Sequence, residues 1–187
     1  MRKGGGKAKG GEFERKVCRA LSLWLSNNKN EDLFWRSAMS GGRATVGHKK
    51  GKLLANQSGD ISAIHEQGHR LTNVFSVECK TYKSLNLGGL FYGGKSGLVA
   101  FWNTVVIDAG KYSKLPMLIA KENGRPELIC LDSIGARLLG LEGLKCVSDT
   151  GVGIYIYSFK DFLHLPPIGL LDVRPANKRP TPITKAS

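Results

Sequence analysis

The stretch from Ser58 to Tyr82, SGDISAIHEQGHRLTNVFSVECKTY, sets two short apolar segments, ISAI and VFSV, on either side of a polar cluster around Gly68. Alternating and β-branched residues flanking a glycine-centred cluster predict a β-hairpin. With its turn near Gly68 and His69, antiparallel pairing sets Asp60 roughly opposite Val77, within about one residue of Glu78. Strand side chains alternate between two faces, so Glu78 and Lys80 share one while Val77 and Cys79 point into the other. Two carboxylates and an ammonium therefore meet at one end of the predicted hairpin. Paired carboxylates with open coordination positions suit Mg²⁺ or Mn²⁺, which stabilise charge on a phosphate and acidify a bound water. The lysine can orient or deprotonate that water, or offset charge on the phosphorane. An edge hairpin carrying a surface ion pair has the same local pattern, so the rest of the chain must decide between the two.

Lys and Arg outnumber Asp and Glu by 28 to 15, a net charge of +13 that favours a polyanion as partner, nucleic acid first. With 187 residues and 41% apolar content, the chain is expected to form one domain over residues 12–172. Its glycine- and cation-rich start, residues 1–11, and its Pro- and Lys-rich end, residues 173–187, are expected to be disordered tails. Cys18, Cys79, Cys130 and Cys146 show neither C-x-x-C spacing nor a His-Cys cluster, so they are expected to be reduced core residues. No stretch approaches the length of a membrane-spanning apolar run, and the protein is expected to be soluble, cytoplasmic and free of small-molecule cofactors.

From Glu12 to Leu25 the spacing predicts a helix, with Phe13, Val17, Ala20, Leu21 and Trp24 on one stripe. At about 100° per residue Glu14 falls near the edge of that stripe and Glu12 almost opposite it. A carboxylate aimed at the core needs a partner there, a metal site or a lysine; an N-terminal glutamate favoured by the helix dipole is the alternative. SNNKNED at 26–32 ends the helix, and LFWRSAM reads as the first strand. Residues 40–59 form a glycine-rich basic loop leading to Asp60, with Ser40, Arg43, His48, Lys49, Lys50 and Lys52 placed where a phosphodiester would arrive. A solvated loop histidine is the default for His48, and for His65 and His69. YKSLNLGGLFYGG reads as a loop whose Leu90, Phe91 and Tyr92 either stack on bases or pack as a lid. A second helix follows over 98–110, then strands LPMLIA and ELICL, a helix capped by Asp132, a strand at 153–159 and a segment KDFLHL. The order is αβββαββ with additions.

SGD at 58–60 and VECK at 77–80 resemble the PD-(D/E)xK nuclease superfamily, which carries an acidic residue at the start of one strand and (D/E)xK on the next. KGGEFER at 9–15 is similar to the G-x-x-x-E-R opening of archaeal-type Holliday-junction resolvases, and RSAMSGGRAT at 36–45 resembles their Ser/Gly-containing segment before the aspartate. Gly59 stands where the family usually has proline, and the Asp-to-Glu spacing is longer than in the compact resolvases. The resemblance implies an α/β, restriction-endonuclease-like core, a mixed central sheet flanked by helices. It implies that Asp60, Glu78 and Glu14 hold Mg²⁺ or Mn²⁺, with the Val77 or Cys79 carbonyl as a further ligand, and that Lys80 positions the water. Arg15, Ser40, Arg43, Lys49, Lys50, Lys52 and Lys83 would contact DNA. The implied activity is endonucleolytic cleavage of branched DNA, leaving 5′-phosphate and 3′-hydroxyl ends; a homodimer is expected from symmetry, since a four-way junction presents two equivalent strands. Two other readings stay open: a basic nucleic-acid-binding protein with structural carboxylates, and a nuclease of the same superfamily acting on duplex, flap or end substrates.

Overall fold

Phe13, Val17, Leu21 and Trp24 recur at helical spacing, and helix α1 (Gly5–Leu25) buries all four. The structure, a computed structural model, describes residues 5–37, 58–92 and 95–171. α1 begins at Gly5 instead of Glu12, so part of the stretch expected to be a disordered tail is helical. The reason is tertiary: Gly11 is buried so close to Arg36 that a Cβ there would stand 3.1 Å from its guanidinium, and this packing outweighs the poor helix propensity of glycine. Asn27 and Asn28, both with left-handed backbone, end the helix as its turn chemistry predicts. Buried Ser22 fastens α1 to strand β1 (Phe34–Arg36), its hydroxyl accepting the Leu33 and Phe34 N–H groups at 3.0 and 3.2 Å.

β1 pairs antiparallel with β2 (Ile61–Ala63), placing Arg36 opposite Ile61. The chain does not then turn back as a hairpin. It passes through a 3-10 turn (Glu66–Gly68) and helix α2 (His69–Thr72) before returning as β3 (Phe75–Tyr82), which meets the segment ahead of β2 in a parallel bridge between Gly59 and Val77. Gly68 explains the difference: a Cβ there would stand 2.7 Å from the Leu33 carbonyl and 3.1 Å from the Phe34 ring, so the glycine permits close packing on β1 instead of forming a tight turn. A parallel return needs a crossover, and the polar cluster supplies one. His65 caps the 3-10 turn, its Nδ1 accepting the Gln67 N–H at 3.2 Å.

The main sheet has five strands in the order β3-β4-β5-β7-β6, with β4 (Leu115–Glu122), β5 (Glu127–Leu131), β6 (Val147–Asp149) and β7 (Ile154–Ser158). β3 and β4 run parallel and the remaining pairs antiparallel. The crossover between β3 and β4 carries α3 (Gly88–Tyr92), in place of the expected loop, and α4 (Gly97–Lys111). α5 (Ser133–Leu138) is capped by Asp132, which accepts the Gly135 N–H at 2.7 Å; α6 (Phe159–Leu163) and α7 (Ile168–Leu171) follow β7. One sheet face packs Val77, Cys79, Met117 and Ile119 under α1. The other packs Leu118, Ala120 and Cys130 under Leu98, Trp102 and Val105 of α4. This is the mixed α/β, restriction-endonuclease-like architecture expected, its β3 edge left for the site. Cys18, Cys79 and Cys130 are buried as anticipated, whereas Cys146 is exposed. Among the described residues no helix is long and apolar enough to cross a membrane.

Candidate active site

β3 has β4 on one side only, and on its other edge the Gly59 bridge delivers Asp60. Asp60 is held at three points: its N–H donates to the Val77 carbonyl at 2.8 Å, its carbonyl accepts the Ser37 N–H at 2.7 Å, and Oδ2 accepts the Cys79 N–H at 3.0 Å. Where β2 leaves the edge, the Asp60 carboxylate thus takes over as acceptor for β3. Asp60 is 3% exposed, and its buried carboxylate is oriented by the Cys79 N–H that Oδ2 accepts.

The bridge depends on Gly59, whose φ of +80° is left-handed and whose added Cβ would stand 2.3 Å from the Val77 carbonyl oxygen. Proline, common at this position of the resembling motif, has φ near about −65° and could not adopt this conformation. Gly59→Ala is expected to lower unfolding stability by about 1–3 kcal/mol. An unchanged urea midpoint would contradict the bridge.

Strand alternation puts Glu78 and Lys80 on the face of β3 shared with Leu118 and Ala120, half-buried, while Val77 and Cys79 enter the core beneath α1. Lys80 Nζ donates to Glu78 Oε1. Burial, followed by the charge of the Asp60 carboxylate, pushes Glu78 up to about 7, against the pull of Lys80. Burial works against the charge of Lys80, but Glu78 outweighs it and holds the ammonium above its ordinary value. Two adjoining carboxylates that raise proton affinity in this way are equally a place for a dication. Among the described residues no group of three or more His, Cys, Asp or Glu side chains is arranged to hold a metal ion. The pair suits a hard dication of the kind that binds through one or two carboxylates and keeps its remaining positions for water and phosphate.

Glu14 does face inward, its side chain 13% exposed, while Glu12 is exposed. It accepts from Arg36 Nε at 2.9 Å, and Arg36 lies opposite Ile61, the residue after Asp60. Burial and then the neighbouring carboxylates, Glu14 first, push the Cys18 thiol up to about 12; Asp60, Glu78 and Glu14 all act on Cys79 in the same sense. The three acids therefore surround one stretch of core, with Asp60, Glu78 and Lys80 in mutual reach and Glu14 tied to Arg36.

Sequence reasoning missed Arg36 and Lys114. Lys114 Nζ donates to the Ser58 hydroxyl at 2.8 Å, two residues before Asp60, and burial pulls its pKa down to about 8. No motif marks it, because only the parallel β3–β4 pairing brings the segment ahead of β4 to this end of the site. Arg15 and Lys83 are exposed. Ser40, Arg43, His48, Lys49, Lys50 and Lys52 lie outside the described residues.

Against known proteins, residues 5–164 match the model of a family described as phage putative PDDEXK endonuclease. No curated protein and no solved structure matches the chain.

Proposed function

The chain belongs to the family of phage PDDEXK endonucleases, and from that premise we propose a divalent-cation-dependent enzyme that hydrolyses DNA phosphodiester bonds in branched substrates, Holliday junctions foremost. The observation that carries the catalytic part is the meeting of Asp60, Glu78 and Lys80 at the β3 edge. Asp60 and Glu78 would hold the cation. The Cys79 carbonyl, on the same strand edge as the N–H that Asp60 accepts, is the backbone group available to join them, since the Val77 carbonyl is taken by Asp60. Once bound, Mg²⁺ or Mn²⁺ supplies charge stabilisation on the phosphate and a more acidic water. Lys80 holds its proton beside Glu78 and is placed to orient the attacking water or to neutralise a phosphate oxygen. Glu14 would complete the carboxylate set, its charge offset by the Arg36 guanidinium that it accepts from.

The preference for branched DNA is supported by the G-x-x-x-E-R and Ser/Gly segments of the sequence, and a homodimer by symmetry: a four-way junction presents two equivalent strands that a two-fold pair can cut. Purified protein with Mg²⁺ should nick a synthetic four-way junction faster than duplex, flap or single-stranded controls. Preferential cutting of duplex would remove the branched-DNA reading, and cutting in excess chelator would remove the metal.

The pH dependence follows from Glu78. Folding raises this carboxyl from 4.5 to about 7, so without cation its favourable contribution to stability is complete below the unfolded value and is lost as pH rises through the folded one. A dication competes with that proton. The increase in melting temperature on adding Mg²⁺ should therefore be small at about pH 6 and grow through about pH 7 to 8, a trend that Glu78→Gln should flatten.

A further inference from the structure

We propose that Tyr82, propped by Phe101, stacks on a nucleobase of the strand being cut and so positions it; the inference rests on the nuclease reading above. Tyr82 is the last residue of β3, and strand periodicity sets it on the face that carries Glu78 and Lys80. At about 3.3 Å per residue, it stands about 13 Å along the strand from Glu78 and about half that from Lys80. Its backbone is fixed: it pairs with Glu122 in the parallel register, and its carbonyl accepts the Asn123 N–H at 3.0 Å. Its ring is fixed too, against Phe101 of α4, with centroids 5.6 Å apart and planes inclined at 69°.

That support does not cover the ring, since Tyr82 is 57% exposed. In an edge-to-face pair, whichever ring offers its edge, at least one face of Tyr82 stays open. An aromatic already held by strand and helix has surrendered the rotamer freedom that binding would otherwise cost, which makes it a platform instead of a flexible surface side chain.

A phosphate seated at the carboxylate pair brings bases of its own strand within reach. With about 3.4 Å of rise per stacked nucleotide, the distance along β3 corresponds to at most about four nucleotides from the cut. Exposed Lys83 follows, next to where the adjoining phosphate would pass. A base inside a regular duplex has no free face, whereas bases beside a branch point can unstack. Tyr82 is thus a specificity determinant for DNA distorted near the scissile bond.

The test is a cycle between protein and DNA, read as binding in chelator so that no cutting intervenes. A junction whose cleavage site has been mapped carries an abasic residue at one of the positions within about four nucleotides of the cut. Tyr82→Leu should weaken binding of the intact junction roughly tenfold to a hundredfold, and Tyr82→Phe, which keeps the ring, should rescue it to within about threefold of wild type. At one position the abasic residue should weaken wild type by a similar factor and cost Tyr82→Leu almost nothing more. 2-Aminopurine placed there should be quenched by wild type and not by Tyr82→Leu. The proposal is overturned by unchanged affinity of Tyr82→Leu, by losses that add at every abasic position, or by a Tyr82→Phe as weak as Tyr82→Leu. Those outcomes leave cleavage by wild type standing; a wild-type protein that neither binds nor cuts DNA would defeat the nuclease reading itself, and this inference with it.

Discussion

Asp60→Asn is expected to reduce cleavage roughly a thousandfold or more while leaving junction binding within about threefold of wild type. The substitution keeps the size of the side chain, and the amide oxygen can still accept the Cys79 N–H that now holds Oδ2 at 3.0 Å. The backbone bonds to Val77 and Ser37 do not involve the side chain, so the fold at the β3 edge should survive. What disappears is one of two charges that a dication needs. The second signature is electrostatic: the Asp60 charge helps to push Glu78 up to about 7, so removing it should bring the Glu78 carboxyl back toward its ordinary range. A carboxyl titration followed by NMR would show this shift even in protein that no longer cuts. Undiminished cleavage by Asp60→Asn would sink the assignment of the site, and a disrupted fold would show as a changed circular dichroism spectrum before any nuclease assay.

The sharing-out of side chains along β3 was legible in the sequence for a specific reason. A period of two fixes which residues of β3 share a face whatever strand lies beside it, so the partition of Glu78 and Lys80 from Val77 and Cys79 does not depend on knowing the pairing. Pairing direction is another matter. Period two is the same in parallel and antiparallel ladders, and the polar cluster around Gly68 reads equally as a hairpin turn or as a crossover. The antiparallel expectation sets Asp60 opposite Val77; the parallel bridge sets Gly59 there and reaches Asp60 one residue later, so the neighbours agree although the topology differs. Glu14 shows the same division. Helical angle alone turns it inward, but its partner Arg36 comes from a strand 22 residues away and is set only when α1 packs on β1. β6 carries no signal, being three residues, Val-Ser-Asp, on an outer edge with no buried alternation. Lys114 stayed hidden for the reason that applies to any residue brought in by a long-range crossover: nothing local distinguishes it from a solvated lysine.

Lys80→Ala is expected to lower the single-turnover cleavage rate by roughly two orders of magnitude or more, with DNA affinity within about tenfold of wild type. Its ammonium belongs to the site, donating to Glu78 on the same strand face, and is only one of 28 cationic side chains available to phosphates. Lys49, Lys50 and Lys52 should behave in the opposite way. Neutralising Lys49, Lys50 and Lys52 together removes charge from a segment with no acidic residue between Ser40 and Asp60. Binding should weaken and the slope of log affinity against log salt should flatten by about 0.9 for each duplex phosphate that is no longer neutralised. Cleavage at saturating protein should fall much less. Lys80→Arg separates the two roles proposed for Lys80, because arginine keeps the charge but cannot lose its proton. Retained cutting by Lys80→Arg would make Lys80 an electrostatic and orienting group; a defect as deep as in Lys80→Ala would assign it proton transfer or a position too tight for a guanidinium. Variants of Lys49, Lys50 and Lys52 that depressed the saturated rate as severely as Lys80→Ala, with binding intact, would extend the active site beyond the β3 edge and overturn this division of labour.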